Sequence, residues 1–233
     1  MKIIEAEHYD KMSRLGADIL IETIKNKKEA SICLATGSSP AKMYAYFVHD
    51  INEQKIDISE VTFVKLDEWY DVNEEEPFTC STFIKEHLLD KLYMQPKQLI
   101  SFPTKCENPQ KACDEIQAYI DQHPIDVMIL GLGMNGHLGL NEPASHLTLP
   151  AHQATLSDVT KTHDMAEGHV LTSGLTIGMK GIFEANTVLM LVCGNRKEKA
   201  YEAFMSKKIT TQTPASLLWL HKNCITIIDK QQF

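Results

Sequence analysis

The sequence predicts a doubly wound α/β sandwich, a mostly parallel sheet with helices on both faces in a Rossmann-like three-layer arrangement. Three observations predict it. Five short runs are almost continuously apolar: "SICLA" (31–35), "VTFVKL" (61–66), "DVMILGLG" (126–133), "TVLMLVCG" (187–194) and "CITIID" (224–229). Strands covered on both faces read this way, whereas half-exposed strands alternate. Helix-like segments separate the runs, as crossover connections require. No repeat, low-complexity tract or long Pro/Gly linker interrupts the chain, so residues 1–233 are expected to form one domain.

Residues 7–26 carry apolar groups near helical spacing, from Met12 through Leu15 and Ile19 to Ile24. Strand 31–35 leads into Thr36-Gly37-Ser38-Ser39-Pro40, where a helix can begin at Pro40 with Ser38 or Ser39 as its cap. After strand 61–66 come a helix over 81–93, a short strand "LISF" (99–102) and a helix over 108–122. Strand 126–133 is followed by an irregular stretch, 143–176, that holds His146, His152, His163 and His169. Such a stretch is either a functional loop or lid, or a surface excursion with a short helix. A helix over 195–206 and the last two apolar runs complete the alternation.

Composition narrows the partners. An apolar content of 43% supports a substantial core. The formal charge is −8 and no Lys/Arg stripe interleaved with aromatics occurs, which argues against nucleic acid. An anionic small molecule remains compatible, because a pocket can be locally positive in an acidic protein. No apolar run has the length of a membrane span, and "MKIIEAEHYDK" has acids where a secretory signal needs its apolar region. Six cysteines are scattered without a CxxC pair, and Cys33, Cys193 and Cys224 fall in apolar runs. They read as reduced core thiols of a cytoplasmic protein, with no metal site expected.

Ligands of open parallel sheets gather at the carboxyl ends of the strands, so three loops matter. In "LATGSSPAKMY", Gly37 permits close backbone approach and the helix start offers unpaired amides to an anion. The loop is neither a P-loop nor GxGxxG. In "FVKLDEWYDV", Asp67 and Glu68 end a buried strand beside Trp69 and Tyr70. Adjacent strand residues point to opposite sides, so one carboxylate can face a pocket, its pKa raised by aromatic surroundings. In "GLGMNGHLGLNEPAS" (131–145), Gly131, Gly133, Gly136 and Gly139 leave His137 approachable. Its imidazole can pass protons near neutrality, and Glu142 is the next acid, able to meet it in a glycine-containing loop checked by Pro143.

These three loops, taken with "LTIGMKGIFEA" and "TPASLLWLHKN", resemble the glucosamine-6-phosphate deaminase/isomerase family in the same order over nearly the whole chain. The likeness is closest to its galactosamine-6-phosphate isomerase (deaminase) branch. It implies opening of a 6-phosphorylated 2-amino sugar, proton transfer between C2 and C1, and release of ammonia to leave a ketose 6-phosphate. It implies that Asp67 carries that proton, that His137 assists ring opening and that Glu142 orients His137. Thr36, Gly37, Ser38 and Ser39 match the phosphate cradle. Lys197, in "CGNRKEKA", matches the phosphate lysine, with Arg196 beside it as a substitute. No metal or organic cofactor is implied, and an oligomer is compatible with the sequence.

Two departures stand out. Glucosamine-type members have aspartate where this chain has Asn135, which cannot accept a proton; galactosamine-type members share the asparagine. Asn135 therefore enters the catalytic set in a fixed hydrogen-bonding role and marks the galacto branch. The family's phosphate arginine has no counterpart in residues 157–175, which offer only Lys161 and histidines. Rival readings are a glucosamine-6-phosphate deaminase, a 6-phosphogluconolactonase, which usually lacks the N-E-P acid, and a non-catalytic sugar-phosphate sensor. A metal hydrolase lacks an HxH or HxxxH pair with companion acids.

Overall fold

The computed structural model describes residues 1–162 and 168–233. Its main sheet has seven strands in the order β1-β10-β9-β6-β2-β3-β5. They are β1 (Lys2–Ala6), β2 (Ser31–Leu34), β3 (Thr62–Lys65), β5 (Gln98–Ile100), β6 (Val127–Gly131), β9 (Thr187–Val192) and β10 (Cys224–Asp229). Every neighbouring pair is parallel. The helices are α1 (Tyr9–Asn26), α2 (Ser38–Gln54), α3 (Cys80–His87), α4 (Pro109–Gln122), α5 (Met179–Glu184) and α6 (Glu198–Met205). β2 and β3 are buried at every position, which requires cover on both faces, and the helices supply it. The doubly wound three-layer fold is as expected.

The chain runs from β2 outward to β3 and β5, then returns to β6 on the other side of β2 and proceeds to β9. The order in which the chain adds strands therefore reverses between β2 and β6. A crevice opens at the carboxyl ends of two strands whose connections diverge, and two of the three loops singled out in the sequence leave from there.

Four features differ from expectation. β1 is an edge strand paired only with β10, and its charged residues Lys2 and Glu5 hide it from a search for apolar runs. The 143–176 stretch is not merely loop: β7 (His152–Thr155) and β8 (Ser173–Thr176) form a small antiparallel sheet with β4 (Asp67–Trp69). The cap of α2 is Gly37 at φ 95°, with no side-chain cap bond, so neither Ser38 nor Ser39 caps it. Helix α6 starts only at Glu198, because Gly194 and Arg196 hold φ of 97° and 63° and keep the preceding loop open.

One large cluster fills the space around the main sheet, and a small one of Trp69, Leu140, Ala154, Leu156 and Leu171 lies under the β4-β8-β7 sheet. Cys33, Cys193 and Cys224 are buried free thiols. Among the described residues, no helix is long and apolar enough to cross a membrane, and no group of three or more His, Cys, Asp or Glu could hold a metal ion.

Candidate active site

The β2–α2 turn builds one end of the cleft. Gly37 sits at φ 95°, ψ −173°, a conformation that a side chain would strain. The turn aims the first amides of a 17-residue helix at the cleft. The Ser39 side chain is buried, its Oγ 3.4 Å from Lys197 Nζ and 3.5 Å from Cys193 Sγ. Ser38 is held by its backbone: its carbonyl accepts from the Tyr9 hydroxyl at 2.5 Å. Thr36 directs its hydroxyl to Cys80 Sγ at 3.2 Å.

Asp67 is the first residue of β4. After Lys65 the chain leaves the main sheet and pairs Asp67 with Thr176 of β8, which turns the carboxylate to the cleft wall. The side chain is 8% exposed, and its pKa is pushed up to about 7. Burial is the largest cause and the Glu68 charge the second, while His137, Lys65 and the Cys80 thiol oppose them. Tyr70, by contrast with Trp69, does not wall the cleft. Its hydroxyl donates to the Cys106 carbonyl at 2.7 Å, away from the cleft. Trp69 does border the cleft, with its indole N–H on the Phe78 carbonyl at 3.1 Å.

The loop after β6 folds back on itself: Gly133 N–H donates to the His137 carbonyl at 3.1 Å. A Cβ on Gly133 would lie 2.3 Å from the His137 ring, so only glycine leaves the imidazole its place. His137 Nδ1 is 3.2 Å from Thr160 Oγ1 and 3.6 Å from Glu142 Oε2. A carboxylate and a hydroxyl at Nδ1 favour the tautomer protonated there and leave the Nε2 lone pair for chemistry. Nε2 has no hydrogen bond among the described residues.

Glu142 is itself pinned. Its Oε2 accepts from Asn135 Nδ2 at 2.8 Å and its Oε1 from the Ser157 N–H at 3.2 Å. Burial alone would raise its pKa, but His137, Thr160 and Asn135 outweigh burial and bring it down to about 2. Asn135 also accepts from the His137 N–H at 3.2 Å and donates to Ser157 Oγ at 3.1 Å. Neither Asn135 nor Glu142 walls the cleft; both stand behind His137.

The cleft thus gathers Thr36, Gly37, Ser38, Ser39, Asp67, His137 and Lys197, with Thr160 at its edge. Its empty space, open mouth included, is about 740 Å³, within the roughly 300–1,000 Å³ usual for small-molecule sites. Arg196 Nη2 donates to the Thr162 carbonyl at 3.2 Å. Ser157, Thr160 and Cys80 escaped the sequence reading. Hydroxyl and thiol residues carry no spacing signal, and Thr160 reaches His137 from a stretch without a period. The histidines of that stretch are elsewhere: His152 on the Pro150 carbonyl, His146 beside Ser145, and His169 packed at a tilt against Phe78. His163 lies outside the described residues.

A family model described as glucosamine-6-phosphate isomerases/6-phosphogluconolactonase matches residues 5–227. The chain belongs to that family. The "Putative deaminase AgaI" of Escherichia coli (strain K12) is 41% identical over 97% of this chain and 90% of that protein. A glucosamine-6-phosphate deaminase of Clostridium perfringens is 31% identical over 99% of this chain and 97% of its own. Among solved structures, a monomeric glucosamine-6-phosphate deaminase superposes with a TM-score of 0.93 at 26% identity, covering 99% of this chain and 98% of that one. The 6-phosphogluconolactonase of Trypanosoma brucei shares the fold at 19% identity, TM-score 0.74, over 97% and 95% of the two chains. As a member of this family the chain is an enzyme of sugar-phosphate metabolism.

Proposed function

We propose that this enzyme converts a 2-amino-2-deoxyhexose 6-phosphate, galactosamine 6-phosphate before glucosamine 6-phosphate, to the ketose 6-phosphate and ammonia. One observation carries the reading: Asp67 and His137 border a single cleft whose end is the Gly37–Ser39 turn with Lys197. A phosphate bears about −1.5 to −2 charges at neutral pH, and helix amides, serine hydroxyls and an ammonium suit it. Anchored there, the sugar extends its C1–C2 end toward the carboxylate and the imidazole.

The steps follow from what each group can exchange. His137 Nε2 takes the O1 proton and returns it to the ring oxygen, opening the pyranose to an aldehyde. Asp67 removes the C2 proton while O1 takes up a proton from solvent, giving an enolamine, and Asp67 then delivers its proton to C1. The proton taken up at O1 is balanced by the one released when water adds to the iminium. The resulting C2 iminium adds water, and ammonia departs with the C–N electron pair, so one water is consumed per ketose formed. A carboxylate with its pKa near 7 is a far stronger base than an ordinary one, as carbon-acid chemistry needs. Each such group contributes about 10²–10⁴-fold, and phosphate anchoring adds positioning.

The galacto preference rests on Asn135, by its likeness to that branch; the names of the glucosamine-type relatives support the other epimer. Purified protein incubated separately with each amino-sugar phosphate, with ammonia and ketose 6-phosphate measured, decides. A gluco preference reverses the assignment of Asn135. Tight binding of both without turnover replaces the enzyme by a sensor.

A further inference from the structure

Glu68 stands next to Asp67 and takes part in none of the steps above. Its side chain points into the fold and is fully buried together with that of Lys65. Oε1 accepts from the N–H groups of Trp69 and Cys80, both at 2.9 Å. Oε2 accepts from the Ser81 N–H at 2.9 Å, the Ser81 hydroxyl at 2.7 Å and Lys65 Nζ at 2.6 Å. Lys65 Nζ also donates to Ser81 Oγ at 2.6 Å. One carboxylate therefore ties the end of β3, the strand that carries Asp67 and the first turn of α3.

Burying two charges is costly, and a neutral pair of similar volume often holds a fold as well. Stability is thus a poor reason for an ion pair here. Its address, one residue from the cleft carboxylate on one side and two on the other, supplies a better one.

We propose that Lys65 and Glu68 are positioning residues for Asp67: their buried ion pair, tied to the first turn of α3, locks the strand that presents Asp67 and fixes a charge one residue away from it. This rests on the reading of Asp67 as the proton carrier. Glu68 is the largest charge acting to raise the proton affinity of Asp67, after burial itself. Lys65 on β3, His137 after β6 and the Cys80 thiol on α3 act the other way. Cys33 on β2 and Tyr44 on α2 also face Asp67, and burial keeps both protonated and uncharged.

Titration of the Asp67 carboxyl carbon by NMR tests this without any turnover. Glu68→Gln is expected to move the midpoint down by about one pH unit, tenfold in proton affinity. Lys65→Met is expected to move it up. Opposite movements from two partners in one contact are not what loosened packing produces, and movement of both in one direction, or none in Glu68→Gln, overturns the proposal. The double variant Lys65→Met/Glu68→Gln leaves neither charge alone and carries the test if the single variants do not fold. It moves the midpoint down, since Glu68 acts more strongly than Lys65, and an unmoved midpoint rejects the idea. Kinetics adds a second readout: kcat of Glu68→Gln falls about tenfold while KM stays within about twofold. If the wild type turns over neither sugar yet the midpoints move as stated, the functional reading fails and the positioning role stands.

Discussion

The Thr160 hydroxyl lies 3.2 Å from Nδ1 of His137, across a separation of 23 residues. Thr160 is 1% exposed and its backbone N–H is bound to Ser157 Oγ at 3.2 Å, so the hydroxyl is held rather than free to rotate away with its chain. With Glu142 it fixes which imidazole nitrogen carries the proton. Thr160→Val keeps the shape and deletes one hydrogen bond of about 1 kcal/mol. The expected result is a fall in kcat of about fivefold to tenfold with KM nearly constant, and a smaller loss on open-chain substrate. Steady-state kinetics on both substrate forms checks it; an unchanged kcat removes Thr160 from the set.

The Asp67 carboxyl gives the reaction its acid limb. Only the ionised form can take the C2 proton, and burial with the Glu68 charge holds its pKa near 7. The logarithm of kcat/KM is expected to rise with unit slope below about pH 7 and level off above it. Asp67→Asn removes the limb together with about 10²–10⁴ of the rate. It also stops exchange of the C2 hydrogen with solvent deuterium. A pH–rate profile with its break near the ordinary carboxyl value would show that Asp67 is ionised too easily for the role given it.

How much of this was readable beforehand depends on whether a feature leaves a pattern in the chain. The parallel strands were legible because burial on both faces makes each an unbroken apolar run, as in "SICLA" and "TVLMLVCG". The turns at Gly37 and at His137 were legible because glycines mark the places where a backbone must bend tightly beside a strand end. Strands β4, β7 and β8 were not. Each has three or four residues, too few to display a period, and "HQAT" and "SGLT" are largely polar. The choice between Ser38 and Ser39 was equally closed, since only the helix geometry turns Ser39 inward and leaves Ser38 exposed. Position alone did not separate Asp67 from Glu68; the family likeness selected Asp67, and the pairing of Asp67 with Thr176 of β8 supplies the local geometry behind it.

Gly133 gives a steric test of His137 that leaves every polar group in place. Its φ is ordinary, so alanine brings no backbone strain, but the new methyl would lie 2.3 Å from Cδ2 and 2.4 Å from Nε2 of His137. The ring must move, and Nε2 is the nitrogen assigned to proton exchange. Gly133→Ala is expected to fold, to bind ketose 6-phosphate within about threefold of wild type, and to lose 10²-fold or more in kcat, the scale of about 1 Å of misplacement. Calorimetric binding beside kinetics separates the two. Retained turnover would mean that the imidazole position is not critical.

Asp67 also sets a cost in stability that varies with pH. In the unfolded chain the carboxyl titrates at its ordinary value of 3.8, in the folded chain near 7. Between those values the folded state holds a proton that the unfolded state has released, so stability falls as pH rises, by up to about 1.4 kcal/mol per pH unit from this group. Above pH 7 the cost is constant. Glu142 works the other way in a lower window: its depressed pKa adds stability above 4.5 that is lost as pH falls toward 2. Asp67→Asn removes the first effect and leaves the second. The variant's advantage over wild type in urea unfolding is therefore expected to be smallest near pH 4, to grow through pH 7, and to level off at about 2–4 kcal/mol. An advantage independent of pH would mean that Asp67 is not buried at the cost its position implies, and with it would go the case for a base tuned by burial.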